Sequence, residues 1–430
     1  MIIKNTTIIN FDTLTLKENV DLKIAKNKIE KIGKIDEFDT ETIDGSSFYI
    51  IPGLVNTHAH TAMALLRGSA EDVTSSDWFN KYIWIYEQNI QKGDVYLGTL
   101  LGAVEMISSG ITTVFDHYFN MHEAFTAYKE LGMRGDLSYT MFGIGETKDK
   151  NFKDAMDFIE KYNGTDDLIT ISLGPHSPYV CPKEFLENIS KIKQNTGLKV
   201  HLHISEEPWQ IEKSLKEYGM TPIEFIDSIG LLDENTILAH AYYATNSDLD
   251  LIKGRDGNIS HAAKTYLKFA WVNNFINRAV EKGINVSFAT DGAASNSNYS
   301  ILEVARLSAL LGKIADLNPT TSKIGDILKL FSNGEKFLKK PISKIKEGYL
   351  ADLVFLDKYS PRLNPPINIF ANFLYSVSEL DIKMVMINGK IVYKDGEIFG
   401  YKKEKLIQDI NKVYKRLLRK DTDKPMQTFG

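Results

Sequence analysis

The feature that most constrains the fold of this chain is a repeated pairing of a short apolar run with an amphipathic stretch. Eight such runs can be counted between residues 53 and 291, and most are followed by residues with helical spacing. They read GLVNTHAH, GITTVFDHY, RGDLSYT, LITISLGPH, KVHLHISE, TILAHA, NISHA and NVSFATDG. Short strands alternating with helices are typical of a parallel sheet, and eight such units predict an α/β fold of the (β/α)8 TIM-barrel type.

The residues that end these runs are unusual. Almost every run ends in His, Asp or Tyr, and eight of the nine histidines lie on or just after a run. Only His122 clearly does not. Catalytic groups of such barrels lie at the C-terminal ends of the strands, so the pattern predicts an active site there rather than histidines scattered through a core.

Both ends of the chain are rich in β-branched residues, and the second end carries an Asn388-Gly389 hairpin signal. Neither end has enough strands for a stable sheet of its own. We therefore expect one small β-sandwich domain assembled from both termini. The predicted domains are 1–52 plus 344–398 for the discontinuous sandwich, 53–343 for the (β/α)8 barrel, and 399–430 for a C-terminal helix and tail.

Composition and charge exclude several classes of protein. The net charge of -5 provides no basic surface for a nucleic-acid backbone. The longest apolar run, around residues 48–55, is far shorter than the roughly 18–20 residues that span a bilayer. The N-terminus turns polar at once, unlike a signal peptide. A single cysteine, Cys181, excludes internal disulfides and a cysteine-based zinc cluster, so we expect a cytoplasmic protein without nucleic-acid or membrane partners.

His58 and His60 form the most suggestive pair. Residues i and i+2 of a strand point to the same side, so both rings can face one point. Alone, the pair is as consistent with two ordinary histidines on one face of a strand as with metal binding. His203 on the fifth run and Asp291 on the eighth would complete three nitrogen ligands and one oxygen ligand with a position left open, which is typical of a catalytic metal. Zinc is the first expectation, and iron or manganese also accept this set.

Proton-handling groups follow the same runs. Glu206 comes three residues after His203 and is a candidate general acid/base, preferred over its neighbour Glu207. His240 enters from the next run and could hydrogen-bond the water that the metal activates. Asp291 could serve both as a ligand and as the proton acceptor.

Four motifs carry a family resemblance. PGLVNTHAHTAM, HLHISE, LAHA and ATDGAASN, in this order, resemble the amidohydrolase superfamily. Within it the chain is similar to the 5-methylthioadenosine/S-adenosylhomocysteine deaminases and their triazine- and guanine-hydrolysing relatives. The likeness covers nearly the full length, including the late EGYLADLVFLD segment. It implies a single metal ion, because the fourth run ends in LGPHSPY without the lysine of two-metal members.

The resemblance also implies a reaction and its substrate contacts. His176 matches the residue that hydrogen-bonds the purine, while Trp78 and Glu87 match the pair that packs on the substrate and holds the ribose hydroxyls. A core or interface role for Trp78 stays open. The implied activity is hydrolytic deamination at carbon 6 of a 5'-modified adenosine, with Glu206 touching the ring and protonating its nitrogen. The candidate substrates are 5-methylthioadenosine, S-adenosylhomocysteine, 5'-deoxyadenosine and adenosine, and the implied assembly is a homo-oligomer, dimer or tetramer.

Two departures from the family pattern bear on the substrate. The pattern His-Asn-Pro-x-Ser-Asn after the seventh run is replaced by HAAKTYLKF, which puts Lys264 beside the site. Tyr139 stands where an arginine would meet a carboxylate tail. Tyr139 and Lys264 are therefore candidates for facing the substrate, and we expect a preference for adenosines without a charged tail.

Other interpretations remain open at this point. The same chemistry could act on guanine, 8-oxoguanine, a pterin or a triazine. A non-catalytic scaffold on this fold is disfavoured, because all four ligands are present together with Glu206 and His240. A cytidine-deaminase type of zinc enzyme needs two cysteines in one motif and is excluded by the single cysteine.

Overall fold

The computed structural model describes residues 1–37 and 41–420, and eight parallel strands form its central barrel. Each strand pairs with the next one along the chain. The short strand Asp291–Gly292 then pairs in parallel with the first strand, which closes the ring. The barrel strands are β1 (Leu54–His60), β2 (Ile111–Tyr118), β3 (Arg134–Met141), β4 (Ile169–Pro175), β5 (Val200–Ile204), β6 (Thr236–His240), β7 (Asn258–His261) and β8 (Asn285–Phe288).

Helices cover the outside of the barrel, so its strands are buried on both faces. Every residue of β2 and β3 is buried, which explains why these runs lack a clean apolar–polar alternation. The predicted (β/α)8 barrel is confirmed. The α-helices of eight or more residues in the described chain are Asp94–Ser108, Met121–Leu131, Lys148–Tyr162, Lys183–Thr196, Pro208–Tyr218, Asn246–Gly254, Ile301–Ala315 and Lys403–Leu417.

Shorter helices lie mainly in the segments that join these elements. The segment after β1 carries Thr61–Leu66, Ser75–Asp77, Trp78–Ile83 and Trp84–Glu87. The π-helical turn Trp78–Ile83 belongs to this insertion, which borders the open end of the barrel. The remaining short helices are Pro222–Ser228, Ala263–Lys268, Phe275–Glu281, Ala293–Asn296, Ile324–Lys329, Leu330–Asn333, Gly334–Leu338, Pro366–Asn368, Ile369–Tyr375 and Glu379–Asp381.

Strands from both chain ends share a second sheet, as predicted. This sheet bends around a core of its own that includes Ile3, Leu22, Phe355 and Met386. The hairpin between its later strands turns at Asn388-Gly389, where both residues have the positive φ that such a turn requires. Its strands are Ile2–Asn10, Thr15–Ala25, Lys28–Gly33, Thr42–Asp44, Phe48–Pro52, Leu353–Asp357, Ile382–Ile387, Lys390–Lys394 and Glu397–Ile398.

The end of the chain returns to the barrel. Helix Lys403–Leu417 packs on helix Asp94–Ser108, and the Arg416 guanidinium binds the Asp94 carboxylate at 2.8 Å. Residues 421–430 of the predicted tail lie outside the described residues, and the predicted domain limits stay predictions. No helix in the described part of the chain has both the length and the apolar character needed to cross a membrane.

A buried ion pair joins the two sheets. Arg134 at the start of β3 donates from Nε and Nη2 to the two oxygens of Asp352, at 3.0 and 3.2 Å. The Asp352 carboxylate also accepts the backbone N–H of Asn388, at 2.6 Å. Arg134 is 1% and Asp352 3% exposed, so each charge depends on the other for the solvation that water would otherwise provide.

Replacing one partner of this pair tests its contribution. Arg134→Met leaves the Asp352 carboxylate buried without its counter-ion, and we expect the free energy of unfolding to fall by about 3–5 kcal/mol. Lys150→Met, which removes an exposed helical ion pair with Asp154, should change it by about 0.5 kcal/mol or less. Urea denaturation followed by circular dichroism measures both. Equal small losses would contradict the role of the buried pair.

Candidate active site

The four predicted metal ligands meet at the C-terminal end of the barrel. The Nε2 atoms of His60 and His203 are 3.1 Å apart. Asp291 Oδ1 lies 3.3 Å from His60 Nε2 and 3.6 Å from His58 Nε2. Strands separated by up to about 230 residues in sequence therefore direct four donor atoms to one point.

The Nδ1 atoms of these histidines form hydrogen bonds on the side of the ring away from the cluster. The Nδ1–H groups of His60 and His203 donate to the backbone carbonyls of His117 and His176, the second at 2.9 Å. His58 Nδ1 lies 2.8 Å from His201 Nε2. Because Nδ1 carries the proton, the Nε2 lone pairs of His60 and His203 point into the site, as metal-binding imidazoles require.

The electrostatics of this cluster call for a positive charge. Burial lowers the pKa of His58 and of His203 well below the usual value, so both rings are neutral. Burial alone would raise the pKa of Asp291, but the imidazoles of His58 and His60 beside it hold that pKa well below its usual value. The same carboxylate outweighs burial at His60 and raises the pKa of that ring.

A divalent ion satisfies all of these groups at once. The Nε2 lone pairs of His60 and His203, 3.1 Å apart, repel each other unless a proton or a metal ion lies between them. The described residues offer the buried His58 Nε2 no hydrogen-bond partner, and the donor atoms of His58, His60 and Asp291 lie within 4.8 Å of one another. Three imidazole nitrogens and one carboxylate oxygen suit zinc, so the residues present fit the predicted cofactor.

Glu206 and not Glu207 faces the reacting groups. Glu206 Oε1 lies 3.4 Å from His240 Nε2. The Glu207 carboxylate instead accepts the Ser75 hydroxyl at 2.8 Å. Burial, with the nearby negative charges of Asp291 and Glu207, raises the pKa of Glu206 well above its usual value. Burial lowers the pKa of His240 to about 4, so its imidazole is neutral at neutral pH.

The backbone at the strand ends is strained. Ser205, His240 and Asp291 have φ of 47°, 74° and 60°, a region that non-glycine residues rarely adopt. Such strain clusters at active sites, where the surrounding structure has to hold it. Hydroxyls of Ser295 and Thr265 donate to Asp291 Oδ2 at 2.7 and 3.1 Å, which leaves Oδ1 directed at His58 and His60.

A cavity of about 320 Å³ opens beside these groups, and the predicted substrate residues line it. Trp78 is half-buried, with its indole N–H bonded to the Ala294 carbonyl at 3.1 Å. Glu87 accepts the Tyr118 hydroxyl at 2.6 Å, and burial raises its pKa to about 7. His176 stacks on His203 with ring centroids 4.5 Å apart, and burial lowers its pKa to about 3.

Tyr139 and Lys264 do not line this cavity. Tyr139 packs outward against Phe158 of helix Lys148–Tyr162, and the next residue, Thr140, faces the cavity instead because strand side chains alternate. Lys264 lies on helix Ala263–Lys268 and pairs with Glu303 at 2.7 Å. The structure therefore does not support the expectation that these two side chains face the substrate.

Sequence reasoning missed most of the aromatic lining of the cavity. Phe269 and Trp271 come from the segment after β7, where no strand end or polar motif marks them. Phe142 follows the end of β3 by one residue. Had the outward direction of Tyr139 been known, the alternation of side chains would have indicated that Phe142 faces the cavity. The other aromatic residues of the lining that were not predicted are Phe79, Trp84, Tyr118, Phe119, Tyr179 and Trp209.

His201, His117 and His261 are buried near the cluster but are not among its four predicted ligands. His201 bonds to His58, and His117 Nδ1 lies 2.9 Å from the Thr140 hydroxyl. His261 is buried against Phe275, with ring centroids 5.6 Å apart. His240 differs from these, because its ligand atom lies within 4.8 Å of those of His58 and His203, close to the predicted metal position.

The chain is similar to known proteins over most of its length. A model described as the amidohydrolase family matches residues 49–392. A 5-methylthioadenosine/S-adenosylhomocysteine deaminase from Pyrococcus furiosus is 37% identical over 420 residues, covering 96% of this chain and 100% of the relative. A 5'-deoxyadenosine deaminase from Methanocaldococcus jannaschii is 36% identical over 405 residues, covering 92% and 96%.

Solved structures agree on the fold. An adenosine deaminase from Xanthomonas campestris with bound zinc superposes with a TM-score of 0.92 at 24% identity, covering 97% of this chain and 98% of that one. The atrazine chlorohydrolase TrzN from Arthrobacter aurescens, complexed with zinc, reaches 0.88 at 22% identity, covering 96% and 99%. With a family match across residues 49–392 and relatives above 30% identity, this chain belongs to the amidohydrolase family.

Proposed function

We propose that this protein is a metal-dependent deaminase that hydrolyses the 6-amino group of a 5'-modified adenosine to the inosine analogue and ammonia. Membership of the amidohydrolase family and its deaminase relatives make it a hydrolase of carbon–nitrogen bonds. The observation that carries the proposal is the approach of Glu206 to His240, 3.4 Å away, beside the four converging side chains of His58, His60, His203 and Asp291. The relatives named for adenosine derivatives supply the substrate class.

One divalent ion, with zinc as the proposed metal, would be held by His58, His60, His203 and Asp291. When bound, such an ion lowers the pKa of water toward neutrality and so supplies a nucleophile at physiological pH. Zinc is present in the solved adenosine deaminase and triazine-hydrolase structures of this fold. The protein itself holds the four donor atoms close together and keeps the Nδ1 atoms of the histidines hydrogen-bonded.

Three side chains would handle protons. Glu206, whose pKa burial raises well above its usual value, donates a proton to the ring nitrogen beside carbon 6, which makes that carbon more electrophilic. His240, neutral at that pH, hydrogen-bonds the attacking water. Asp291 keeps one oxygen toward the site and accepts the proton of that water. The departing amine needs a proton to leave as ammonia, which is why both a donor and an acceptor are required.

The cavity favours a nucleoside with an uncharged 5' substituent. Among the described residues, no lysine or arginine lines it, so a carboxylate tail would find no fixed cation there. Its lining is largely aromatic, and its volume lies at the small end of the usual range for small-molecule sites. In this arrangement His176 meets the purine, Glu87 accepts the ribose hydroxyls and Trp78 packs on the substrate.

A panel of substrates tests the proposal. We expect ammonia release from 5'-methylthioadenosine and 5'-deoxyadenosine with kcat/KM at least about tenfold above that for S-adenosylhomocysteine, since a lost charged contact costs about 1.4 kcal/mol or more. The assay follows ammonia with zinc-loaded protein and includes guanine, a pterin and a triazine. A higher kcat/KM for S-adenosylhomocysteine would overturn the tail preference, and activity confined to guanine would overturn the substrate class.

Separate substitutions distinguish metal binding from proton transfer. His203→Ala and Asp291→Ala should abolish activity and bound zinc together. Glu206→Gln should keep the zinc and lower kcat by roughly 10²–10⁴-fold, because the amide cannot give up a proton. Metal content is measured by plasma mass spectrometry. Glu207→Gln is the matched control, and a loss equal to that of Glu206→Gln would contradict the assignment.

The pH profile tests the proposed role of Glu87. Burial raises its pKa to about 7, so the carboxyl is charged above pH 7 and neutral below it. A charged carboxylate accepts both ribose hydroxyls, so kcat/KM for a ribonucleoside should fall about tenfold from pH 8 to pH 6 relative to its 2',3'-dideoxy analogue. Steady-state assays on both nucleosides give this ratio. Taking the ratio cancels the pH dependence that comes from titrating groups affecting both nucleosides equally.

Glu87→Gln provides the control for this profile. The amide does not titrate, so the ratio between the two nucleosides should become independent of pH. A ratio that stays flat in the unsubstituted protein would contradict the assignment of Glu87 to the ribose.

The homo-oligomer and the cytoplasmic setting stay predictions.

A further inference from the structure

We propose that Tyr266 is a positioning residue that fixes the tautomer of His240, so that His240 presents Nε2–H to the reacting water. The inference rests on the proposed deaminase function and deepens it by assigning which partner donates and which accepts. Tyr266 stands at the last position of the segment HAAKTY, where the family pattern His-Asn-Pro-x-Ser-Asn has Asn. The chain thus has a phenol at that position.

The contacts of the Tyr266 hydroxyl restrict its hydrogen bonds. The residue is fully buried. Its oxygen accepts the backbone N–H of Ala262 at 3.1 Å and lies 3.4 Å from His240 Nδ1. In the part of the chain that the structure describes, His240 Nδ1 is the acceptor within hydrogen-bond distance of this hydroxyl.

Hydrogen-bond satisfaction then determines the tautomer. A tyrosine hydroxyl keeps its proton at neutral pH, and a buried donor without an acceptor is destabilising. The Tyr266 hydroxyl therefore donates to His240 Nδ1. A neutral imidazole carries one N–H, so the His240 proton lies on Nε2, the atom 3.4 Å from Glu206 Oε1.

This tautomer separates the roles of the proton-handling groups. With its proton on Nε2, His240 donates a hydrogen bond to the oxygen of the attacking water and cannot also remove that water's proton. The proton then goes to Asp291, whose Oδ2 is held by Thr265 at 3.1 Å. Thr265 and Tyr266 belong to the same helix, Ala263–Lys268, so one turn positions both groups.

The ring of Tyr266 is itself fixed in place. Tyr242 stacks on it with centroids 4.0 Å apart and an interplanar angle of 22°. The Trp271 backbone N–H donates to the Tyr266 carbonyl at 2.8 Å. The Tyr242 hydroxyl points elsewhere, toward the carbonyls of Trp271 and Asn273 at 3.3 and 3.4 Å. Tyr242 is therefore a matched control, a buried tyrosine beside Tyr266 whose hydroxyl does not reach His240.

The test compares Tyr266→Phe with Tyr242→Phe in the full-length, zinc-loaded protein. Tyr266→Phe should lower kcat on 5'-methylthioadenosine by roughly 10–100-fold, the usual effect of removing such a partner, with KM changed less than about twofold. Tyr242→Phe should keep kcat within about threefold of the unsubstituted protein. Zinc content and thermal midpoint, measured for both variants, separate a positioning effect from a loss of folding.

A spectroscopic measurement decides the tautomer without reference to activity. In protein labelled with ¹⁵N-histidine, the His240 signals, assigned by their loss in His240→Asn, should show a protonated Nε2 and a bare Nδ1. Tyr266→Phe should shift them toward a mixture of tautomers, while Tyr242→Phe should not. A protonated Nδ1 in the unsubstituted protein, or equal kcat losses in the two variants, would overturn the inference.

The same measurement keeps this inference distinct from the proposed function. If no nucleoside yields ammonia, the deaminase proposal fails, and the ¹⁵N signals still show whether Tyr266 holds His240. If ammonia is released but the His240 signals do not respond to Tyr266→Phe, the positioning role fails and the deaminase proposal stands.

Discussion

The ionised carboxylate of Asp291, buried where the barrel closes, is the group on which the rest of the site depends. Backbone pairing puts Asp291 opposite Ala59 and Gly292 opposite His60, so the same register that closes the ring brings the carboxylate to the histidine pair. A buried charge is costly unless it is paired. Two hydroxyls stabilise one of its oxygens, and the other is left to attract a positive charge among the imidazoles.

One physical effect, removal from water, has opposite consequences for the two kinds of side chain in this site. Burial disfavours the charged form of any group, so it lowers the pKa of His58 and His203 and raises that of Glu206. Neutral imidazoles are what a metal needs, and a protonated carboxyl is what a ring nitrogen needs. Asp291 escapes the trend because the imidazoles of His58 and His60 lie beside it, so the pKa values of two carboxylates in one cavity shift in opposite directions.

The parts of the site that were not predicted share a common cause. Tyr139 and Thr140 are neighbours in β3, and only the tilt and closure of the barrel decide which of them faces inward. Lys264 lies on a helix whose other face carries Thr265 and Tyr266, and helix orientation depends on packing against helix Ile301–Ala315. The aromatic lining comes from segments that connect the strands, whose paths local sequence patterns do not define.

The sequence alone determined the barrel, the sheet shared by both termini and the polar residues at the strand ends that converge at one rim. It could do so because strand periodicity and strand ends are local properties, and a parallel barrel gathers all its carboxyl ends at one rim. Only the tertiary structure decided the pKa shifts of the buried groups, the different partners of Glu206 and Glu207 and the contact of Tyr266 with His240. These depend on burial and on distances between atoms far apart in sequence, which no local pattern encodes.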